Sequence, residues 1–286
     1  MSYLPIDPST WYLRNVVVGS RRAAEIAAAP QGTPTWHDAR QHRLSGSRVG
    51  QVFNHGFMDQ SDPNKVVEPF LWPQPLNSPW VAWGSKHEID AQRICEERLK
   101  ARFGDEFTLS FEYPGGIVIR TEEWFIASVD GIVALHDPAT NEVVERILLE
   151  FKCPKRIHPA IKPDYVDQTQ AYMGFLRIHD PDKYGTMNRC IFGQWTPEET
   201  KFEEFARNEA YFEQLRATAK RFYTQELLPR YVLKATGYLK PPPRNNQEDN
   251  ESTRLLSRKR SAGGAGAGPV AKRAMFGSMP LIIHGK

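Results

Sequence analysis

The chain has 286 residues, 40% hydrophobic and 25% charged, ordinary values for one sizeable soluble globular domain or two small ones. Its formal charge of +3 and pI near 8.7 permit nucleic-acid binding without demanding it, because acids and bases nearly balance. Three cysteines, Cys95, Cys153 and Cys190, fit neither a zinc spacing nor an even-numbered disulfide framework, which points to a reducing compartment. No stretch has the length of a membrane span, and the N-terminus lacks the basic-then-apolar order of a signal peptide, so a soluble intracellular protein is expected.

Trp11 to Ala29 predicts a helix capped by Ser9 or Thr10, stopped by Pro30 and assigned to packing. Thr35 then predicts the cap of a short helix that carries Trp36 and Arg40 one turn apart. Ser45-Gly46-Ser47 opens another helix, Arg48 to Phe53, whose first amides and dipole favour an anion. An arginine, small hydroxyls and free amides together suit a phosphate. The plainer alternative makes Ser47 a helix cap and Arg40 a surface charge. Asp62 to Pro79 is interrupted by prolines and reads as a short helix followed by loop.

Val81 to Phe103 predicts the long helix, with Ala91, Cys95 and Leu99 on one buried stripe. Glu88 falls on that stripe, so its carboxylate is expected to point inward, either as a salt-bridge partner or as a metal ligand. Gly84, four residues earlier, lets backbone or substrate come close. His87, Asp90, Glu96, Glu97 and Lys100 form the expected solvated side.

Phe107 to Tyr113 and Ile117 to Arg120 predict a hairpin across Pro114-Gly115-Gly116. Trp124 to Ala127 is a short apolar strand leading to Asp130-Gly131, and Ile132 to Leu135 is a second. A turn follows at His136 to Asn141, and a third strand runs from Val143 to Phe151. Period-two alternation puts Glu150 and Lys152 on one face and Phe151 on the other. A Glu-x-Lys pair on a strand is ordinarily a solvated face. Here it follows the apolar run Ile147-Leu148-Leu149, where charge is costly unless paired or bound to metal. Two carboxylates and a lysine meeting where adjacent strands end suit a metal-dependent phosphodiesterase. The acids hold Mg²⁺ and the lysine orients or deprotonates a water.

From Lys152 through Lys155, Arg156 and Lys162 the chain is basic, as in a DNA-facing loop. Pro163 to Ile178 predicts a helix with Tyr165, Gln168, Tyr172 and Phe175 on one face. The inward Gln168 amide requires partners, either a core hydrogen bond or a water, a phosphate oxygen or the lysine. Asn188 to Trp195 reads as a strand. Pro197 to Leu228 reads as an amphipathic helix with Phe202, Phe205, Phe212, Ala219 and Phe222 toward the core. From Tyr238 the composition turns to Pro241-Pro242-Pro243 and then to glycine-rich sequence, a tail expected to be disordered. Its clusters Arg258-Lys259-Arg260 and Lys272-Arg273 resemble a bipartite nuclear import signal, and a basic tail also binds nucleic acid or is simply solvated.

Taken together these residues resemble the lambda exonuclease and YqaJ-type viral recombinase family, a branch of the PD-(D/E)XK nucleases. The resemblance covers Trp36 to about Tyr172. Its motifs are Trp36…Arg40…Ser47, Trp83-Gly84-x-x-x-Glu88, Ala127-Ser128-x-Asp130-Gly131, Leu149-Glu150-Phe151-Lys152-Cys153-Pro154 and Gln168-Thr169-Gln170, in the family's order. Val129 stands where the family usually has proline. The resemblance implies an α/β restriction-endonuclease-like core, a mixed central sheet flanked by helices, with extra N- and C-terminal helices. It implies a nuclease domain over residues 1–236, with residues 237–286 as tail. Asp130, Glu150, the Phe151 carbonyl and Glu88 would bind Mg²⁺, with Mn²⁺ able to substitute. Lys152 would activate or position the water, Gln168 would support the site, and Arg40, Ser47 and Ser128 would hold a substrate phosphate. The implied activity is a 5′-to-3′ exonuclease on linear duplex DNA, leaving 3′ strands for a single-strand annealing protein, in some members as a ring trimer. An endonuclease on the same fold and a catalytically silent DNA-binding module are the alternatives.

Overall fold

The computed structural model describes residues 4–53, 63–74 and 78–242. Helix α1 (Pro8–Asn15) starts on a proline and is capped by Asp7, whose Oδ2 accepts from the Thr10 amide at 2.8 Å. Helix α2 (Ser20–Ala28) is separate, so the single helix expected from Trp11 to Ala29 splits in two. Val16 is fully buried between them, and the Val18 amide donates to the Glu123 carboxylate at 2.6 Å, drawing the chain out of helical register. Helix α3 (Pro34–Arg40) is capped by Thr33 rather than Thr35. Strand β1 (Leu44–Ser45), α4 (Gly46–Val52), α5 (Pro63–Leu71) and the long α6 (Pro79–Phe103), capped by Ser78, follow.

Strands β2 (Thr108–Glu112), β3 (Ile117–Val118), β4 (Phe125–Ala127), β5 (Gly131–His136) and β6 (Val143–Lys152) come next. Helices α7 (Pro163–His179) and α8 (Pro181–Tyr184) then lead to β7 (Arg189–Trp195) and β8 (Thr200–Ala206). The described chain closes with α9 (Glu209–Phe222), a π-helical turn at Tyr223–Leu227, and α10 (Leu228–Ala235). The main sheet has the order β2-β5-β6-β7-β8; β6 and β7 run parallel and every other neighbouring pair is antiparallel. A small second sheet has the order β1-β4-β3.

Two expected elements are corrected. The hairpin across Pro114-Gly115-Gly116 does not form, because β2 pairs with β5 in the main sheet while β3 pairs with β4 in the small one. The glycines there serve close packing. The Gly115 amide donates to Ala27 O at 2.9 Å, and a Cβ at that position would sit 1.7 Å from the Ala29 carbonyl. Residues 197–228 are likewise not one helix, since Thr200–Ala206 is the edge strand β8.

Alternation along β6 decides what lies on each side of the sheet. Ile147, Leu149 and Phe151 pack against the Ala91–Cys95–Leu99 stripe of α6, whereas Leu148 joins the cluster containing Met173 and Phe175 of α7. Each such buried aliphatic side chain contributes roughly 1.5–3 kcal/mol. The terminal helices are tied in as well: Trp11 stacks on Tyr231 at 5.9 Å, and the buried Glu122 accepts from Arg216, Lys220 and Trp124. Among the described residues no helix is long and apolar enough to cross a membrane. The glycine-rich tail with its basic clusters lies outside the described residues.

Candidate active site

Strands β5 and β6 pair with Gly131 opposite Leu149, so one further step along the ladder sets Asp130 opposite Glu150. The Phe151 amide fixes Asp130 by donating to its Oδ2 at 2.7 Å. Glu150 is completely buried. Its Oε1 accepts from the Lys152 ammonium and, at 2.6 Å, from the Gln168 side-chain amide on α7, while its Oε2 is buried with no hydrogen-bond partner. Gln168, expected to point inward from α7, therefore bonds Glu150. Phe151 turns its ring to the α6 side, as alternation requires.

The charges in this cluster do not balance. Burial, then the neighbouring Asp130, pushes the Glu150 carboxyl well above its ordinary range, although Lys152 pulls the other way. Burial likewise raises Asp130 against the opposing pull of Lys152 and the Phe151 amide. For Lys152 burial alone would lower the ammonium, but Glu150 and Asp130 outweigh it and keep it firmly protonated. The two acids behave as a coupled pair that keeps a proton longer than separate carboxylates would.

Glu88 is corrected from its expected inward position. It is an exposed residue on α6, one turn before the buried Ala91. Partial desolvation, then the Asp130 charge, nevertheless raises its carboxyl, against the pull of Lys152, so it stands at the rim of the pair. His87 also departs from the expected solvated side. Its ring lies between Trp83 and Trp195, with centroids 4.2 and 5.0 Å away, and its Nδ1 meets Asp90 at 2.9 Å.

A second cluster has the opposite sign. Arg40 donates to Ser128 Oγ at 3.0 Å, Ser45 Oγ at 3.1 Å and Ser47 Oγ at 3.3 Å, and its guanidinium lies 4.4 Å over the Trp36 ring. Among the described residues no carboxylate pairs with it. Burial, and to a lesser degree Arg48, lowers its proton affinity, with Tyr172 opposing. Tyr172 is the member that sequence reasoning missed. Ser45, one of the small hydroxyls of the expected phosphate pocket, is buried with its hydroxyl facing the guanidinium. Tyr172 is fully buried within reach of Gln168 at 3.4 Å, and its phenol is raised by burial and by Glu150, with Arg40 opposing, so it lies between the two clusters. The available signal was its position four residues after Gln168 on one helical face. Gly46 is what allows this approach, since a Cβ there would lie 2.2 Å from the Tyr172 ring.

The donors suit a divalent cation: the fully buried Glu150 with its orphaned oxygen and the half-buried Asp130 repel each other, beside an ammonium that only partly compensates them. Among the described residues no three His, Cys, Asp or Glu side chains together enclose a metal position, so the set consists of this pair with Glu88 at its rim.

The mixed sheet, with an acid before one strand and an acid and a lysine two apart on the next, has the PD-(D/E)XK nuclease architecture. Residues 35–176 match the profile of the YqaJ-like viral recombinase domain, and the chain carries a domain of that family. Among solved structures the chain is similar to LHK-Exo in complex with dAMP, at 19% identity and a TM-score of 0.50, over 73% of this chain and 100% of that one. It is also similar to the alkaline exonuclease LHK-Exo from Laribacter hongkongensis (18% identity, TM-score 0.49, 72% of this chain and 97% of that one). A phage-related exonuclease from Haemophilus somnus 129PT aligns at 11% identity and TM-score 0.39, over 68% of this chain and 96% of that one. No curated protein matches the chain.

Proposed function

We propose that this chain is a divalent-metal-dependent deoxyribonuclease that degrades one strand of linear duplex DNA from its 5′ end, leaving 3′ single strands for recombination. The observation that carries the reading is the Asp130–Glu150 pair with its orphaned Glu150 oxygen beside Lys152. The YqaJ-like viral recombinase domain supports DNA as the substrate. Asp130, Glu150 and the Phe151 carbonyl would hold Mg²⁺ or Mn²⁺, with Glu88 completing the set from the rim. The bound ion would polarise the phosphate and acidify a water.

The protein's own groups set the rest. Lys152, held protonated by the two acids, positions the water and offsets negative charge developing on the phosphate. Gln168 fixes the Glu150 carboxylate so that only Oε2 remains to be satisfied. Arg40, with Ser47 and Ser128, supplies a cation with no acid partner among the described residues and hydroxyls that can turn to an anion, suited to a terminal 5′ phosphate. The Ser128 hydroxyl stands two residues before Asp130, which couples the phosphate grip to the acids. A ring of three subunits and a single-strand annealing partner follow from the family resemblance.

A time course on linear duplex labelled separately at each end, beside a closed circle, tests this reading. Loss of each strand from its 5′ end with Mg²⁺, the circle remaining intact, is expected. Cutting of the circle would make the enzyme an endonuclease. No cleavage with Mg²⁺ or Mn²⁺ would reduce it to a binding module.

A further inference from the structure

The loop leaving the Glu150–Lys152 strand contains Lys155, Arg156 and Lys162 and no acid over residues 153–162. Three elements tie it down. On β7, Gln194 is the ladder partner of Lys152 and is 3% exposed. Its side-chain Oε1 accepts from the His158 amide at 2.9 Å and its Nε2 donates to the His158 carbonyl at 3.1 Å. On β8, Lys201 Nζ donates to Pro159 O at 2.9 Å. On α6, Trp80 is 58% exposed, and the Lys155 ammonium lies 4.2 Å over its ring. Lys155 and Arg156 are exposed and, among the described residues, have no acidic partner. On the inner side, Lys152 and Lys162 both lie over the Tyr165 ring, at 5.2 and 5.6 Å.

A polar side chain buried this deeply and spent wholly on one residue's backbone fixes a loop's position rather than its surface. The loop in turn presents Lys155 and Arg156, exposed and with no acidic partner among the described residues, directly after the Glu150–Lys152 strand. We propose that residues 153–162 form a fixed basic rail that carries the phosphodiester backbone of the DNA to the site, and that Gln194 is the positioning residue that holds the rail in register with Lys152. The inference rests on the nuclease reading and names which surface takes the substrate.

The test compares the full-length wild type, Lys155→Ala/Arg156→Ala, Gln194→Leu and the triple variant. Binding of a 5′-phosphorylated duplex is read by anisotropy with EDTA, and KM and kcat are read with Mg²⁺. Each lost phosphate contact removes about 0.9 from the salt slope, so between 50 and 200 mM salt the double variant loses roughly tenfold less affinity than wild type. Gln194→Leu is expected to lower the slope in the same direction, raise KM more than it lowers kcat, and speed tryptic cleavage at Lys155 and Arg156. The triple variant should match the double variant, because Gln194 acts through those cations. Full additivity, or an unchanged slope in either parent, would overturn the rail. Should Gln194→Leu not fold, Lys201→Met removes the outer tether at a half-exposed residue. It should lower the slope to a lesser extent, and no change would count against the proposal. Wild type that neither binds nor cuts DNA would defeat the nuclease reading itself.

Discussion

The two charged clusters beside Tyr172 are opposites in how they are left incomplete. The Asp130–Glu150 cluster has excess negative charge, an orphaned oxygen and acids raised by burial and mutual repulsion. The Arg40 cluster has a desolvated cation that, among the described residues, meets neutral hydroxyls and an indole face and no carboxylate. Elsewhere the same protein balances its buried charge: Glu122 faces Arg216 and Lys220, and although burial works against it, their bonds hold its carboxyl below the usual range. That structural carboxylate is a closed network. On the proposed reading the two open clusters await groups that the chain does not supply, a cation for one and an anion for the other.

Four substitutions probe that contrast. Lys152→Ala should reduce cleavage by on the order of 10³-fold while DNA binding survives, because it removes a charge needed in the transition state. Wild-type-like turnover by the purified variant would break the assignment. Arg40→Ala should slow a 5′-phosphorylated end by about 10- to 100-fold, the span of a charged hydrogen bond, and erase the difference between phosphorylated and dephosphorylated ends. A preference for the phosphate that persists would move the grip elsewhere.

Glu150→Gln should stabilise the metal-free protein at neutral pH by roughly 1–2 kcal/mol while removing activity, read by denaturant unfolding with EDTA. The sign follows from linkage. The folded acid keeps its proton above the pH at which the unfolded one loses it, so wild-type stability falls as pH rises from the ordinary glutamate range toward the raised value. The variant's curve should lack that fall. The smallest effect is expected from Ser47→Ala, a loss of about three- to tenfold on phosphorylated ends, since Arg40 keeps Ser45 and Ser128.

The sequence made the centre of the molecule readable and its periphery less so. Glu150, Lys152 and Phe151 are legible because strand alternation is rigid and an apolar run precedes them. Gln168 is legible because a polar group stands on an apolar helical face. Phe202 and Phe205 misled because residues three apart share a face on a helix, whereas on β8 they belong to the two opposite cores. Pro114-Gly115-Gly116 carries turn chemistry, but its glycines are required by the approach to α2, a tertiary contact with no local signature. Glu88 is exposed because the α6 stripe, continued one turn toward the N-terminus, passes beyond the buried part of the sheet, whereas His87 is covered by the Trp83 and Trp195 rings, the latter a tertiary contact with no local signature. Ser45 and Tyr172 meet the two clusters only through contacts that join α3, α4 and α7.

The central claim is that Asp130 and Glu150 await a divalent cation, and calorimetric titration of Mn²⁺ into the metal-free protein at pH 7 tests it without relying on catalysis. Binding to wild type is predicted, with release of up to about one proton from the acid pair, and loss of that binding in Glu150→Gln. Equal Mn²⁺ affinity in the two proteins, or no binding to wild type, would contradict the account.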